Sequence, residues 1–96
     1  MGILELKYSG KTYTNTREIY NLLNQKQFYW LIDAEVDSAK IEILNDTLIW
    51  HEGIFMSGNW YYGIFKNGGF YGKWLNGIFE DGYFDGEWRS GIKDKK

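Results

Sequence analysis

Phe70-Tyr71-Gly72-Lys73-Trp74-Leu75-Asn76-Gly77-Ile78-Phe79-Glu80-Asp81-Gly82-Tyr83 is the middle copy of a repeat that fills the C-terminal part of the chain. The copy before it is MSGNWYYGIFKNGG (Met56 to Gly69) and the copy after it is FDGEWRSGIKDKK (Phe84 to Lys96), a period of fourteen residues. In each copy the third position is Gly (Gly58, Gly72, Gly86) and the fifth is Trp (Trp60, Trp74, Trp88). The eighth is again Gly (Gly63, Gly77, Gly91) and the ninth is Ile (Ile64, Ile78, Ile92). Self-similarity at a fixed period means stacked supersecondary units that share one continuous core, so this stretch decides the architecture.

Within the period, glycines fall every four or five residues from Gly53 to Gly91, and up to Gly86 an aromatic follows two places after each one named in the series Phe55, Trp60, Phe65, Phe70, Trp74, Phe79, Phe84, Trp88. The fourteen therefore divides as 5+5+4, reading as short extended runs separated by reversals. Asn67-Gly68, Asn76-Gly77, Asp81-Gly82 and Asp85-Gly86 are turn-type dipeptides, because Asn, Asp and Gly adopt positive φ at low cost. Asn76-Gly77 is the clearest of them. Alternation places Phe70, Gly72 and Trp74 on one strand face, with the small glycine leaving room for a ring from the next strand. The opposite face carries Tyr71, Lys73 and Leu75, matched by Ser57, Asn59 and Tyr61 and by Asp85, Glu87 and Arg89, a polar mixture expected to face solvent.

Residues 1–50 do not repeat and read as an α+β cap, with residues 51–96 as the repeat region. Ile3 to Tyr8 alternates as a strand, Ser9-Gly10 turns, and Lys11 to Thr14 follows as a second strand. Asn15 with Glu18 three places on makes a capping box. Ile19, Leu22 and Leu23 then share a face, predicting a helix over 16–25. Phe28 to Ile32 reads as a buried strand on its aromatic and β-branched content. Ala39 to Leu44 and Thr47 to Trp50 are two more strands joined by Asn45-Asp46.

The 96 residues suit one domain, or one array with a cap. An aromatic content of 20% compensates for the modest core, since each ring removes roughly 150–250 Å² from water. There is no Cys, which removes disulfides and thiolate metal sites and leans towards a cytoplasmic location. No apolar run approaches the roughly 20 residues of a membrane span and no signal-like segment opens the chain, so a soluble, unprocessed protein is expected. The net charge is −2. Five basic and seven acidic residues precede Trp50, and six of each follow it. Neither half has the basic excess that phosphate-backbone binding requires, which points away from nucleic acid.

The runs Phe70-x-Gly72-x-Trp74-x-Asn76-Gly77 and Phe84-x-Gly86-x-Trp88-x-Ser90-Gly91 resemble the core of the MORN repeat, Tyr-x-Gly-x-Trp-x-Asn/Asp-Gly. The resemblance covers about 41 of the 96 residues and implies successive β-hairpins stacked into an elongated antiparallel sheet. The same vocabulary is similar to the Trp/Gly-dense pentads of small phage proteins. Its five-residue rhythm also resembles pentapeptide-repeat β-helices, with Gly at the small inward position and Phe or Trp at the central one. Trp fits that narrow coil poorly, so the expectation is a mainly β fold with an α+β cap and a β-hairpin repeat array. A pentapeptide-type β-helix is the alternative.

For chemistry the sequence offers little. His51 is the only histidine and stands beside Glu52 with no nucleophile or second carboxylate placed near it by any motif. Glu80-Asp81 and Asp85/Glu87 lack ligand spacing for a cation. Gly68-Gly69-Phe70-Tyr71-Gly72 lacks the Lys-Ser/Thr and following helix of a phosphate loop. No catalytic residue, metal ligand or cofactor is assigned. The Trp/Phe ladder reads as the stacking core, and the aromatics off the ladder, which vary between copies, read as recognition residues. The candidate binding set is Tyr61, Tyr62, Tyr71 and Tyr83 with Lys73 and Arg89, the composition of a protein-binding surface. The expected role is a non-enzymatic protein-binding repeat module, of the kind phages use as small accessory or host-defence inhibitor proteins, with self-association through sheet edges a further route. An aromatic-lined glycan or nucleotide site between cap and array is the first alternative. MORN-like association with phosphoinositide membranes is the second, and the balanced charge of the repeats speaks against it. Lys93-Asp94-Lys95-Lys96 is expected to blunt the open sheet edge.

Overall fold

Local patterning carries most of the cap. In the computed structural model, which describes residues 2–93, β1 (Ile3–Tyr8) turns through Ser9 and Gly10, both at positive φ, into antiparallel β2 (Lys11–Tyr13). α1 (Thr16–Gln25) begins at Asn15, whose side-chain oxygen accepts from the Glu18 N–H at 3.1 Å. That bond satisfies one of the donors a helix start leaves open. Ile19 and Leu23, one turn apart, are buried on its inner face.

The strand expected over Phe28 to Ile32 is instead a single helical turn, α2 (Tyr29–Ile32). Phe28 and Leu31 are both buried while Tyr29 is exposed, a spacing of three that a helical turn satisfies and a two-residue alternation does not. The Leu31 N–H donates to the Phe28 carbonyl at 3.1 Å. Tertiary packing against α1 and the coil overrides the local β preference of this run.

β3 (Glu35–Leu44) and β4 (Thr47–Ser57) form a long antiparallel hairpin, closed by Asn45 and Asp46 at φ 51 and 63. Two consecutive positive φ values are what a type I′ hairpin turn requires. β1 lies parallel on the other side of β3, giving the order β2-β1-β3-β4. β4 runs across the 50/51 junction between the two regions read from the sequence.

Beyond it lie eight two-residue strands: β5 (Asn59–Trp60), β6 (Ile64–Phe65), β7 (Gly69–Phe70), β8 (Lys73–Trp74), β9 (Ile78–Phe79), β10 (Tyr83–Phe84), β11 (Glu87–Trp88) and β12 (Ile92–Lys93). Every pairing among them, and of β4 with them, is parallel. The mainly β fold with a helix-bearing cap stands. Its repeats wind as a three-sided solenoid of about three turns and not as hairpins, so the β-helix alternative is the architecture present. β4-β6-β9-β12 make the first side, β4-β7-β10 the second and β5-β8-β11 the third.

The reason lies in the corners. At Asn76-Gly77 only Gly77 has positive φ (121°), so the chain bends to the next side without reversing. There the Ile78 N–H donates to the Gly63 carbonyl one coil away at 2.9 Å, and a Cβ on Gly77 would run into that same oxygen. Phe70 and Trp74 therefore sit on different sides, with Gly72 at the corner between them, and do not share a strand face. The bare backbone at Gly72 does lie against a neighbouring ring: an added Cβ would meet the Gly58 oxygen at 2.7 Å and a Phe55 ring carbon at 2.8 Å.

Tryptophan fits because each side is given one inward column. Trp50, Phe65 and Phe79 stack along the first side, Phe55, Phe70 and Phe84 along the second, and Trp60, Trp74 and Trp88 along the third. The tryptophan centroids are 5.1 and 5.3 Å apart with planes within 8°. Between columns the rings meet edge to face, as in Phe65–Phe70 at 89° and Phe70–Trp74 at 78°, an arrangement favoured by the ring quadrupole. The stack thus begins at Trp50 and Phe55, before the first copy recognised in the sequence. The first coil is one residue longer than the rest: Ile49 pairs with Ile64, fifteen on, but Asn59 pairs with Lys73, fourteen on. The extra residue falls in the corner Met56-Ser57-Gly58, where later coils have only Tyr71-Gly72 or Asp85-Gly86. At the far end Lys93 takes the place that Phe79 holds one coil earlier. Its Nζ lies 4.5 Å from the Phe84 ring centre and 4.8 Å from that of Trp88. Asp94, Lys95 and Lys96 of the expected edge-blunting tail lie outside the described residues.

Candidate functional site

With one residue of each two-residue strand facing inward, its neighbour faces out, and the outward positions form columns of their own. The first side presents Ile64, Ile78 and Ile92 in register with the buried Ile49, the second Ile54, Gly69 and Tyr83, and the third Asn59, Lys73 and Glu87. Tyr71 and Tyr83, twelve apart in sequence, become neighbours on the second side with ring centres 5.8 Å apart. A Cβ on Gly69 would lie 3.2 Å from Tyr71 Cε1 and 3.9 Å from the Ile54 branches, so the glycine is the floor on which these side chains meet. Ile54, Met56, Tyr71 and Tyr83 are 41%, 44%, 46% and 59% exposed. Ile54, Met56 and Tyr71 also line one shallow, mostly apolar depression.

Tyr61 and Tyr62 belong to a different cluster. They lie beside α2, with Trp30 at 6.1 Å from Tyr61 and 5.8 Å from Tyr62, and Phe28 at 5.7 Å from Tyr62. Partial burial, with a smaller contribution from the Asp46 carboxylate, raises the Tyr62 phenol above its ordinary value. Lys73 sits on the third side between Asn59 and Glu87, and Arg89 at the corner that follows β11. The six candidate residues are therefore split between the second side, the cap boundary and the third side.

Ile54, Met56, Tyr29 and Trp30 complete the two clusters and were not singled out from the sequence. Ile54 was within reach: stepping the register back from Tyr83 by fourteen and then fifteen lands on it. Tyr29 and Trp30 carried no such signal, because their placement depends on α2 being helical.

Several other polar groups are engaged in holding the fold. His51 Nε2 lies 2.9 Å from Glu42 Oε1 across the β3–β4 ladder, and Lys40 Nζ is 3.7 Å from Glu52. Lys66 Nζ reaches Glu80 at 3.4 Å on the next coil. Asn76 and Asp81 each accept from the N–H of the following glycine, at 2.9 and 2.7 Å. Among the described residues no group of three or more His, Cys, Asp or Glu could hold a metal ion, and no helix is long and apolar enough to cross a membrane. No family model, curated protein or solved structure matches the chain.

Proposed function

We propose that this chain is a non-catalytic protein-binding module whose contact face is the second side of the coil. The observation that carries the reading is the contiguous exposed patch of Ile54, Met56, Tyr71 and Tyr83. Contiguous exposed apolar surface marks interaction sites, and Tyr and Met are enriched where proteins meet. The backbone beneath is held by coil-to-coil bonds, such as the Tyr71 N–H to the Phe55 carbonyl at 2.9 Å and the Tyr83 N–H to the Gly68 carbonyl at 2.8 Å. A face ordered before binding loses little conformational freedom on association, and tyrosine adds wide contact area with few rotatable bonds. A small accessory or inhibitor role of the phage type accords with binding by surface alone.

Paired affinity capture tests this. Wild type and the Tyr71→Ala/Tyr83→Ala double variant are used side by side on lysate of the source cell, with quantitative mass spectrometry as the readout. The expected result is that a protein enriched by wild type falls about tenfold or more with the double variant, in line with loss of hot-spot side chains. Lys73→Ala, on the third side, should capture as wild type does. Equal capture by wild type and the double variant, with matching circular dichroism, would remove the second side as the contact face.

A further inference from the structure

The irregular first corner of the coil meets the helical turn of the cap and leaves a cleft of about 390 Å³, lined by Tyr29, Trp30, Asp33, Gly58, Asn59 and Tyr61. The volume lies in the range of small-molecule sites. Its construction follows from two departures already described. Because α2 is helical, Tyr29 points outward, 53% exposed, and Asp33 ends the turn on the same side of the cap. Because the first corner has three residues, Gly58 takes φ 120 and lets Ala34 close against its bare backbone, where an added Cβ would lie 2.9 Å from the Ala34 Cβ. The later corners into the third side, at Gly72 and Gly86, are one residue shorter.

We propose that this cleft binds an organic cation, an ammonium or guanidinium group carried on a small molecule or on a side chain of a partner. Three of the six lining residues are aromatic, and the Trp30 and Tyr61 rings are inclined by 38° with centres 6.1 Å apart. The two rings pack on each other and, with Tyr29, give the cleft wall aromatic surface next to a carboxylate, a combination that suits a compact cation. Cations are drawn to ring faces by their quadrupole, and quaternary ammonium groups are recognised in such aromatic cages. Asp33 is the only charged residue among the described residues of the lining. Glu35, which accepts from Ser57 Oγ at 3.4 Å, adds a second carboxylate beside this corner. With one carboxylate in its wall, a second beside it and no Lys or Arg among the described lining residues, the cleft disfavours phosphates and carboxylic acids, and so the anionic nucleotide considered from the sequence.

The test is an NMR titration of the full chain, following the Trp30 indole N–H and the Asn59 amide. Probes are tetramethylammonium chloride, N-acetyl-arginine amide and, as the neutral comparison, methyl glucoside. Saturable shifts at both reporters with either cation are expected, with affinity about fivefold weaker in Asp33→Asn and falling as salt is raised. Asp33 is an exposed side chain, so this variant should melt with wild type, and the melt is measured alongside. Tighter binding of the arginine derivative than of tetramethylammonium would assign the site to a side chain on a partner, and the reverse order to a small quaternary amine. The proposal is overturned if neither cation saturates, if methyl glucoside binds more tightly than both, or if Asp33→Asn leaves cation affinity unchanged.

Discussion

In the cap, Leu6, Ile19, Leu23, Leu31, Ile41 and Ile43 converge from two strands and two helices, each enclosed by side chains of other shapes and from distant parts of the sequence. In the coil each buried ring stacks on another ring fourteen or fifteen residues away and meets edges of rings from the other sides. The cap resembles an ordinary small core, where a void is bordered on all sides by packed neighbours. The coil behaves as a one-dimensional stack, where stability is a sum of rungs and of contacts between adjacent rungs. A loss in the middle of such a stack divides it. Glycine differs in the same way: in the cap it serves a local turn, whereas in the coil it admits the backbone of the next turn.

The most severe way to break this comparison is Trp74→Ala. Trp74 is fully buried and stacks on Trp60 above and Trp88 below, so its truncation should cost about 3–5 kcal/mol and unfold the coil, read by urea denaturation with tryptophan fluorescence. A folded variant of unchanged midpoint would show that the ladder is not a core. A matched pair of glycine variants sharpens the contrast at smaller magnitude. Gly77→Ala combines positive φ with a methyl directed into the Gly63 carbonyl and should cost about 2–3 kcal/mol. Gly10→Ala has φ 78 but no atom within 4 Å of the new methyl, so only the conformational penalty of about 1 kcal/mol remains. Equal costs would mean that coil-to-coil approach contributes nothing. The mildest change is Asn15→Ala, which removes the helix cap and should lower stability by about 0.5–1 kcal/mol with the coil untouched. Native-state hydrogen exchange should show the loss confined to α1.

Legibility in the sequence divides along the same line. The helix over 16–25 was readable because Asn15, Glu18, Ile19 and Leu23 each act within one or two turns of themselves. The β3–β4 hairpin was readable because Asn45-Asp46 sits between two alternating runs. The inward tryptophans were readable from their strict recurrence. What escaped was relational. Strands of two residues show no alternation, and Asn76-Gly77 is written with the same letters whether it reverses the chain or bends it. The outcome hangs on the φ of Asn76, which lies outside the positive range that Asn45 and Asp46 adopt. Trp50 escaped because the first coil is fifteen long and masks the register, whereas Phe55 was legible as the first ring of the glycine-aromatic ladder. At the surface, variation between copies was enough to mark the four tyrosines as outward. Their division into two clusters needed the coil, since winding brings Tyr71 to Tyr83 and sends Tyr61 to Trp30.

The uniform interval of the later coils has a consequence for how such a chain can change in length. Removing the fourteen residues 66–79 would join Phe65 to Glu80, leaving every inward ring over an equivalent ring and every corner glycine over another. Duplicating the same block would do the converse. Each event would shift Lys93 by one strand spacing, about 4.8 Å, and leave the cap where it is. The distance between the cap cleft and the far end is thus adjustable in fixed steps by single in-frame insertions or deletions, a form of variation closed to the interlocked aliphatic half of the molecule.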